Sequence, residues 1–211
     1  MTRLPVRKLI GEEVLASRAD FRPIDGPSPY TFQRTREAGG ETFYDTIFMS
    51  SSQKHHVFAV GVMWGLFPTW GDGQGGKEIR AGNDLPILCG RRSMEEQVYA
   101  YDGSEAGARA ALRRISADLS EAAEPWFGER TAQALAHPLV LLGLEWVRSH
   151  PEARTAKQGL SYDETVRSEL SRVLRRRAHD LELGMDVKRN ISLLCYHLLE
   201  FASEVDGRQP T

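Results

Sequence analysis

Between Tyr30 and Trp64 the chain carries three strand-like runs with almost nothing between them: Tyr30 to Arg36, Glu41 to Ser51, and His55 to Trp64. Tyr30, Phe32 and Arg34 alternate with Thr31, Gln33 and Thr35, the two-residue period that sends successive side chains to opposite faces of a pleated strand. Ala38-Gly39-Gly40 joins the first two runs, and a short polar Ser-Gln-Lys turn joins the last two. Parallel neighbours need a long crossover, so connections this short favour an antiparallel meander. Two weaker candidates, Leu85 to Cys89 and Gln97 to Tyr101, extend the expected sheet to four or five strands.

Helical spacing flanks this region. Val6, Leu9, Ile10, Val14 and Leu15 line one side of a helix expected over Pro5 to Ala19, weakened slightly at Gly11. It must stop before Phe21 to Pro29, where prolines 23, 27 and 29 and Gly26 impose turn or extended loop. Asp102 and Glu105 read as a capping pair for a helix through Ala108, Leu112, Ile115 and Leu119 that closes at Pro125. From Glu129 onward the pattern is helical throughout: one segment interrupted at His137-Pro138, one from Ser161 to about Leu183, and one from Asp186 to Val205. Ser161 with Glu164 reads as a capping box, and Pro151 to Gly159 as the linker. The expected fold is therefore α+β: residues 1–128 form a twisted antiparallel sheet flanked by helices, and residues 129–211 a helical lobe packed on it.

With 211 residues and 41% apolar side chains the chain can build an ordinary core. A formal charge of −2 gives no global attraction for nucleic acid or anionic membrane, so either would need a local patch. Cys89 and Cys195 sit in apolar settings, PILCG and SLLCYHLL, which suits buried thiols in a reducing compartment. The N-terminus is too charged for a secretory run and no stretch approaches the ~20 apolar residues that cross a bilayer, so a cytoplasmic protein without a membrane partner is expected.

The segment Val60 to Lys77 puts Trp64, Phe67 and Trp70 among glycines. Those rings are either an anchor for a partner protein or a lid folded back over the sheet edge. Gly71 to Lys77 spells G-x-x-x-x-G-K, but Glu78 stands where Ser or Thr should reach magnesium, and Gly82, Asn83 and Pro86 leave space for barely one turn of the helix that would aim at a phosphate. A surface loop is the simpler account. His55 and His56 are adjacent and would point to opposite faces of a strand, and no H-E-x-x-H, Cys-x-x-Cys or G-x-S-x-G pattern occurs, so no metal, cofactor or catalytic residue is assigned. Arg172, Arg175, Arg176 and Arg177, joined by Lys188 and Arg189, form a basic strip, but Glu169, Asp180 and Glu182 interleave with it as helix-surface ion pairs. Nucleic-acid binding is not expected from it.

Tyr30 to Phe32, Phe43-Tyr44, the run FAVGV at Phe58 to Val62, Tyr99 to Asp102 and Pro125-Trp126-Phe127 together resemble a bacterial domain-of-unknown-function family over residues 1–128. The resemblance implies a small antiparallel meander between two helices and a role like that of immunity proteins or small binding modules. It brings no catalytic residues. The function expected is a non-catalytic protein-binding module, immunity-like or regulatory in a bacterial conflict system, with Trp64, Phe67 and Trp70 as the contact. The competing expectation is an enzyme or a protein binding a nucleotide or other anionic ligand between sheet and helical lobe, held by Lys77, Arg80, Arg91 and Arg92.

Overall fold

In the computed structural model, which describes residues 4–26, 28–66, 80–93, 95–158 and 161–205, the three alternating runs form the middle of an antiparallel sheet. The described residues divide into two units, one of residues 4–66 with 82–129 and the other of 80–81 with 130–205.

The first unit starts with a short helix, α1 (Val6–Ile10), which continues directly into a π-helical turn, Gly11–Leu15. Val6, Leu9, Ile10 and Val14 are buried, as the amphipathic spacing requires. A two-residue strand, β1 (Arg22–Pro23), pairs with β2 (Tyr30–Ala38), followed by β3 (Glu41–Ser52) and β4 (Val57–Gly65). Gly39 and Gly40, at φ 59° and 79°, turn β2 into β3 through the left-handed region that a two-residue hairpin needs and that glycine reaches without a Cβ clash. β4 also neighbours β5 (Arg80–Asp84) and β6 (Tyr99–Ala100), so the sheet order is β1-β2-β3-β4-β5, with β6 beside β4.

Leu85 to Cys89 is not the strand its apolar run implied. It begins with the short helix α2 (Leu85–Leu88), with Pro86 in its first turn. A proline there forfeits no helical hydrogen bond, whereas in a strand it would remove a ladder donor. Two further departures concern helix ends. Ser104, rather than Asp102, caps α3 (Glu105–Asp118), its Oγ accepting from the Gly107 N–H at 2.9 Å, while Asp102 accepts from the Ser104 N–H and hydroxyl. Pro125 does not close that helix. A second π-helical turn, Leu119–Ala123, leads into α4 (Glu124–Ala136), and Pro125 follows the widened turn, where the ladder is already offset. The buried Arg18 ties this region to the first π-helical turn: its guanidinium donates to the Val14 carbonyl, to the Ser116 hydroxyl and carbonyl, and to the Ser120 hydroxyl.

The register places Arg34, Asp45 and Trp64 side by side on β2, β3 and β4. Asp45 is fully buried and accepts from Arg34 Nε at 2.8 Å, Arg36 Nε at 2.5 Å and Arg36 Nη2 at 2.9 Å. Arg34 also reaches Asp20 and Glu124, and Arg36 reaches the Phe127 carbonyl. Phe43, Ile47, Met49, Val60 and Val62 complete this apolar face.

The second unit is mostly helical. α5 (Pro138–Ser149) is followed by a 3₁₀ turn, Pro151–Ala153, and a small hairpin of β7 (Lys157–Gln158) and β8 (Ser161–Tyr162). This is where a bare linker was expected. Then come α6 (Glu164–Asp180) and α7 (Met185–Val205). Ser161 belongs to β8, so the expected capping box is replaced by Asp163, whose Oδ1 accepts from Thr165 N–H at 2.8 Å and Val166 N–H at 3.2 Å. α5, α6 and α7 pack on one another. Among the described residues no helix is long and apolar enough to cross a membrane.

Candidate anion-binding groove between two helices

On α6 the residues Glu164, Arg167, Ser168, Ser171, Arg172 and Arg175 recur three or four positions apart and so share one stripe of the helix. Leu170, Leu174 and Ala178 form the adjoining buried stripe that seats α6 in its unit. Ser192 and Cys195, one turn apart on α7, face the polar stripe. Together these side chains line a groove of about 460 Å³.

Arg175 is the distinctive member. Its Nε donates to Ser171 Oγ at 3.2 Å and its Nη2 approaches Ser192 Oγ at 3.5 Å. Among the described residues no carboxylate lies within salt-bridge distance of it. Arg167 is held by Glu164 at 2.6 Å, which also accepts from Ser168, and Arg172 lies a looser 3.6 Å from Glu169. Both ion pairs are on the surface, where such a pair contributes about 0–1 kcal/mol, so either guanidinium can be redirected cheaply. Burial pushes the Cys195 thiol up to about 11, against a hydrogen bond with Ser171 and the charges of Arg175 and Arg167. The thiol is therefore neutral near pH 7 and does not compete for the arginines. Apart from the Glu164 carboxylate, which is engaged by Arg167 and Ser168, the lining offers guanidinium and hydroxyl donors, the chemistry that suits a carboxylate or phosphate oxygen.

The residues singled out from sequence fare differently. Trp64 is fully buried and stacked on Phe43 with ring centroids 5.6 Å apart, so it is a core residue and not a contact surface. Phe67, Trp70 and Lys77 lie outside the described residues. Of the aromatic segment, Trp64 is the residue described, and it is packed. Arg80 is buried in the second unit, close enough in charge to stabilise the Glu200 carboxylate. Arg91 belongs to the first unit, where it bonds Asp118 at 2.6 Å and lies 4.9 Å from the Tyr99 ring centre. Tyr99 donates to the same carboxylate oxygen at 2.6 Å. Arg91 is therefore already neutralised within its unit, and Arg92 is exposed.

His55 is exposed, and His56 sits in the β3–β4 turn at φ 53° with its ring edge-on to Tyr101. His150 stacks on Trp146 and its Nδ1 bonds the Trp146 carbonyl. His197 is buried, with Nδ1 3.3 Å from Glu200 Oε2. The hydrogen bond from His197, followed by the charges of Arg80 and Lys157, holds the Glu200 carboxyl below the usual range despite its burial. Among the described residues no group of His, Cys, Asp and Glu is placed to hold a metal ion, and both cysteines are free thiols.

The groove itself was half visible in the sequence. Arg172 and Arg175 stood out as part of a charge run, but the serines interleaved with them were not read as part of a site. Their spacing, at 168, 171 and 192, was the available signal. Comparison with protein-family models, with curated proteins and with solved structures finds no match, so the family resemblance rests on its own residues.

Proposed function

We propose that this protein is a non-catalytic binding module whose ligand presents an anionic group to the groove between α6 and α7. The observation that carries the reading is Arg175: a guanidinium bonded to hydroxyls alone, between two further arginines whose own partners are weak. An oxygen anion entering there gains charge-assisted hydrogen bonds and displaces no strong internal pair. The reading keeps the binding-module class but moves the contact from the aromatic segment, whose Trp64 is in the core, to a helical face. It also takes from the anionic-ligand alternative its chemistry, in a different place. A regulatory or immunity-like protein that acts by capture requires only such a surface.

Calorimetric titration with inorganic phosphate and pyrophosphate at low salt tests it. A hydrogen bond to a charged group contributes about 1.5–3 kcal/mol, so Arg175→Ala should weaken binding at least about tenfold. The exposed Arg113→Ala should leave it unchanged. Because Arg175 is exposed, its loss should alter stability by no more than about 0.5 kcal/mol. Absence of binding by either anion, or affinity indifferent to Arg175→Ala, would overturn the proposal.

A further inference from the structure

We infer that the anion reaching Arg175 is a carboxylate carried by an acidic, amphipathic helix of a partner protein, which lies along the exposed face of α7. This rests on the reading just given and names the source of the anion.

The apolar half of the argument comes from α7. Met185, Leu193 and Tyr196 are 64%, 39% and 40% exposed, although each is a large hydrophobic residue. Exposed hydrophobics scattered singly are ordinary. These are aligned: with Arg189 and Ser192 they fall within one stripe of the helix, at positions 185, 189, 192, 193 and 196. From Met185 to Tyr196 the stripe runs about 16 Å along the axis, three turns, which matches the reach of a short docked helix. Tyr196 is partly fixed already, its ring edge-on to Tyr162 at 5.1 Å, so less freedom is lost when a partner covers it. Met185 can adapt its shape to what it meets.

Charge supplies the other half. Ser192 belongs to both the α7 stripe and the groove, so the apolar seat is continuous with Arg167, Arg172 and Arg175, and Arg189 adds a cation inside the stripe. A free small anion would use the arginines and leave Leu193 and Met185 in water. A helix with apolar residues at three- and four-residue spacing and Asp or Glu along one flank satisfies both, the helix-on-groove mode of peptide recognition. A nucleic-acid strand would satisfy the arginines but gain little from aliphatic Met185 and Leu193.

The test selects a random peptide-display library against the full chain, then measures the enriched peptides, inorganic phosphate and a single-stranded oligonucleotide on three proteins: wild type, Arg175→Ala, and the double variant Leu193→Ser with Tyr196→Ser. All three substitutions are at exposed positions, and a thermal melt of each variant checks the fold. The expected enrichment is of peptides with Asp or Glu beside apolar residues at helical spacing. Their affinity should fall at least tenfold on Arg175→Ala and also on the double variant, while phosphate binding falls on Arg175→Ala alone. No acidic enrichment, peptide binding untouched by the double variant, or tighter binding of the oligonucleotide than of any peptide would each overturn the inference. If phosphate still binds through Arg175 in those cases, the proposed function stands without it. If phosphate binding never depended on Arg175, both fall.

Discussion

In the sheet-bearing unit Arg18 is buried and Arg34, Arg36 and Arg91 are part-buried, and each ends on defined acceptors, among them the buried Asp45 and the Ser116 carbonyl. In the helical unit Arg167 and Arg172 end on surface carboxylates of their own helix, and Arg175 on two hydroxyls. The physical demand differs. A guanidinium removed from water must be answered by charge and hydrogen bonds or the fold fails. One left in water loses little when its partner changes. Arginines of the first kind are committed to the structure, and those of the second kind remain available to a ligand.

The comparison breaks most visibly at Asp45. Replacing it by alanine leaves Arg34 and Arg36 facing the core without their shared carboxylate, and losing one partner of a buried pair costs roughly 3–5 kcal/mol. Asp45→Ala should lower the denaturation midpoint of the protein severely, measured by chemical unfolding. Asp45→Asn, which keeps the shape and loses the charge, should recover only part of it. A loss of less than about 1 kcal/mol would mean that Asp20 and Glu124 suffice to hold Arg34, and that the contrast with the helical unit is one of degree.

Much of the sheet was legible because its information is local. The period of two and the connection at Gly39-Gly40 fix three strands and their antiparallel order with no reference to the rest of the chain. Leu85 to Leu88 misled because a four-residue apolar run carries no period, so helix and strand read alike until Pro86 is weighed. Asp45 lies on the same alternating face as Phe43 and Ile47, a polar residue where the pattern calls for an apolar one. Its partners Arg34 and Arg36 could be recognised only once the register of β2 on β3 was known. The groove was obscured in the same manner. Arg175, Arg176 and Arg177 are one run in sequence, but packing divides them, Arg175 lining the groove with Ser192 while Arg176 and Arg177 line another with Leu142, Val173 and Asp180.

The helical unit relies on close contact where the sheet-bearing unit uses buried charge, and Gly143 is where this can be measured. A Cβ added there would stand 2.2 Å from Leu198 Cδ1, and Leu198 is fully buried, so its side chain must shift within the core to admit it. Overpacking of this kind costs about 1–3 kcal/mol, offset by up to about 1 kcal/mol from the better helix propensity of alanine. Gly143→Ala should therefore destabilise modestly, and clearly less than Asp45→Ala, in the same unfolding measurement. A stabilised variant would show that α5 and α7 can separate without penalty.

The smallest effect concerns a place where the helical unit also buries charge. Glu200 is 9% exposed, and His197, Arg80 and Lys157 keep its carboxyl below the ordinary glutamate value of 4.5. A group whose folded-state pKa is depressed adds stability that is fully present above its unfolded pKa and is lost as pH falls through the folded one. Wild-type stability should thus decline as pH drops below about 4.5, with Glu200 supplying at most one proton of that dependence, about 1.4 kcal/mol per pH unit. Glu200→Gln retains the size and an acceptor for His197 but cannot titrate, so its stability below pH 4.5 should fall less steeply than that of the wild type, while near pH 7 it should be the less stable of the two. Parallel curves for the two proteins across that window would mean that Glu200 is held by packing alone.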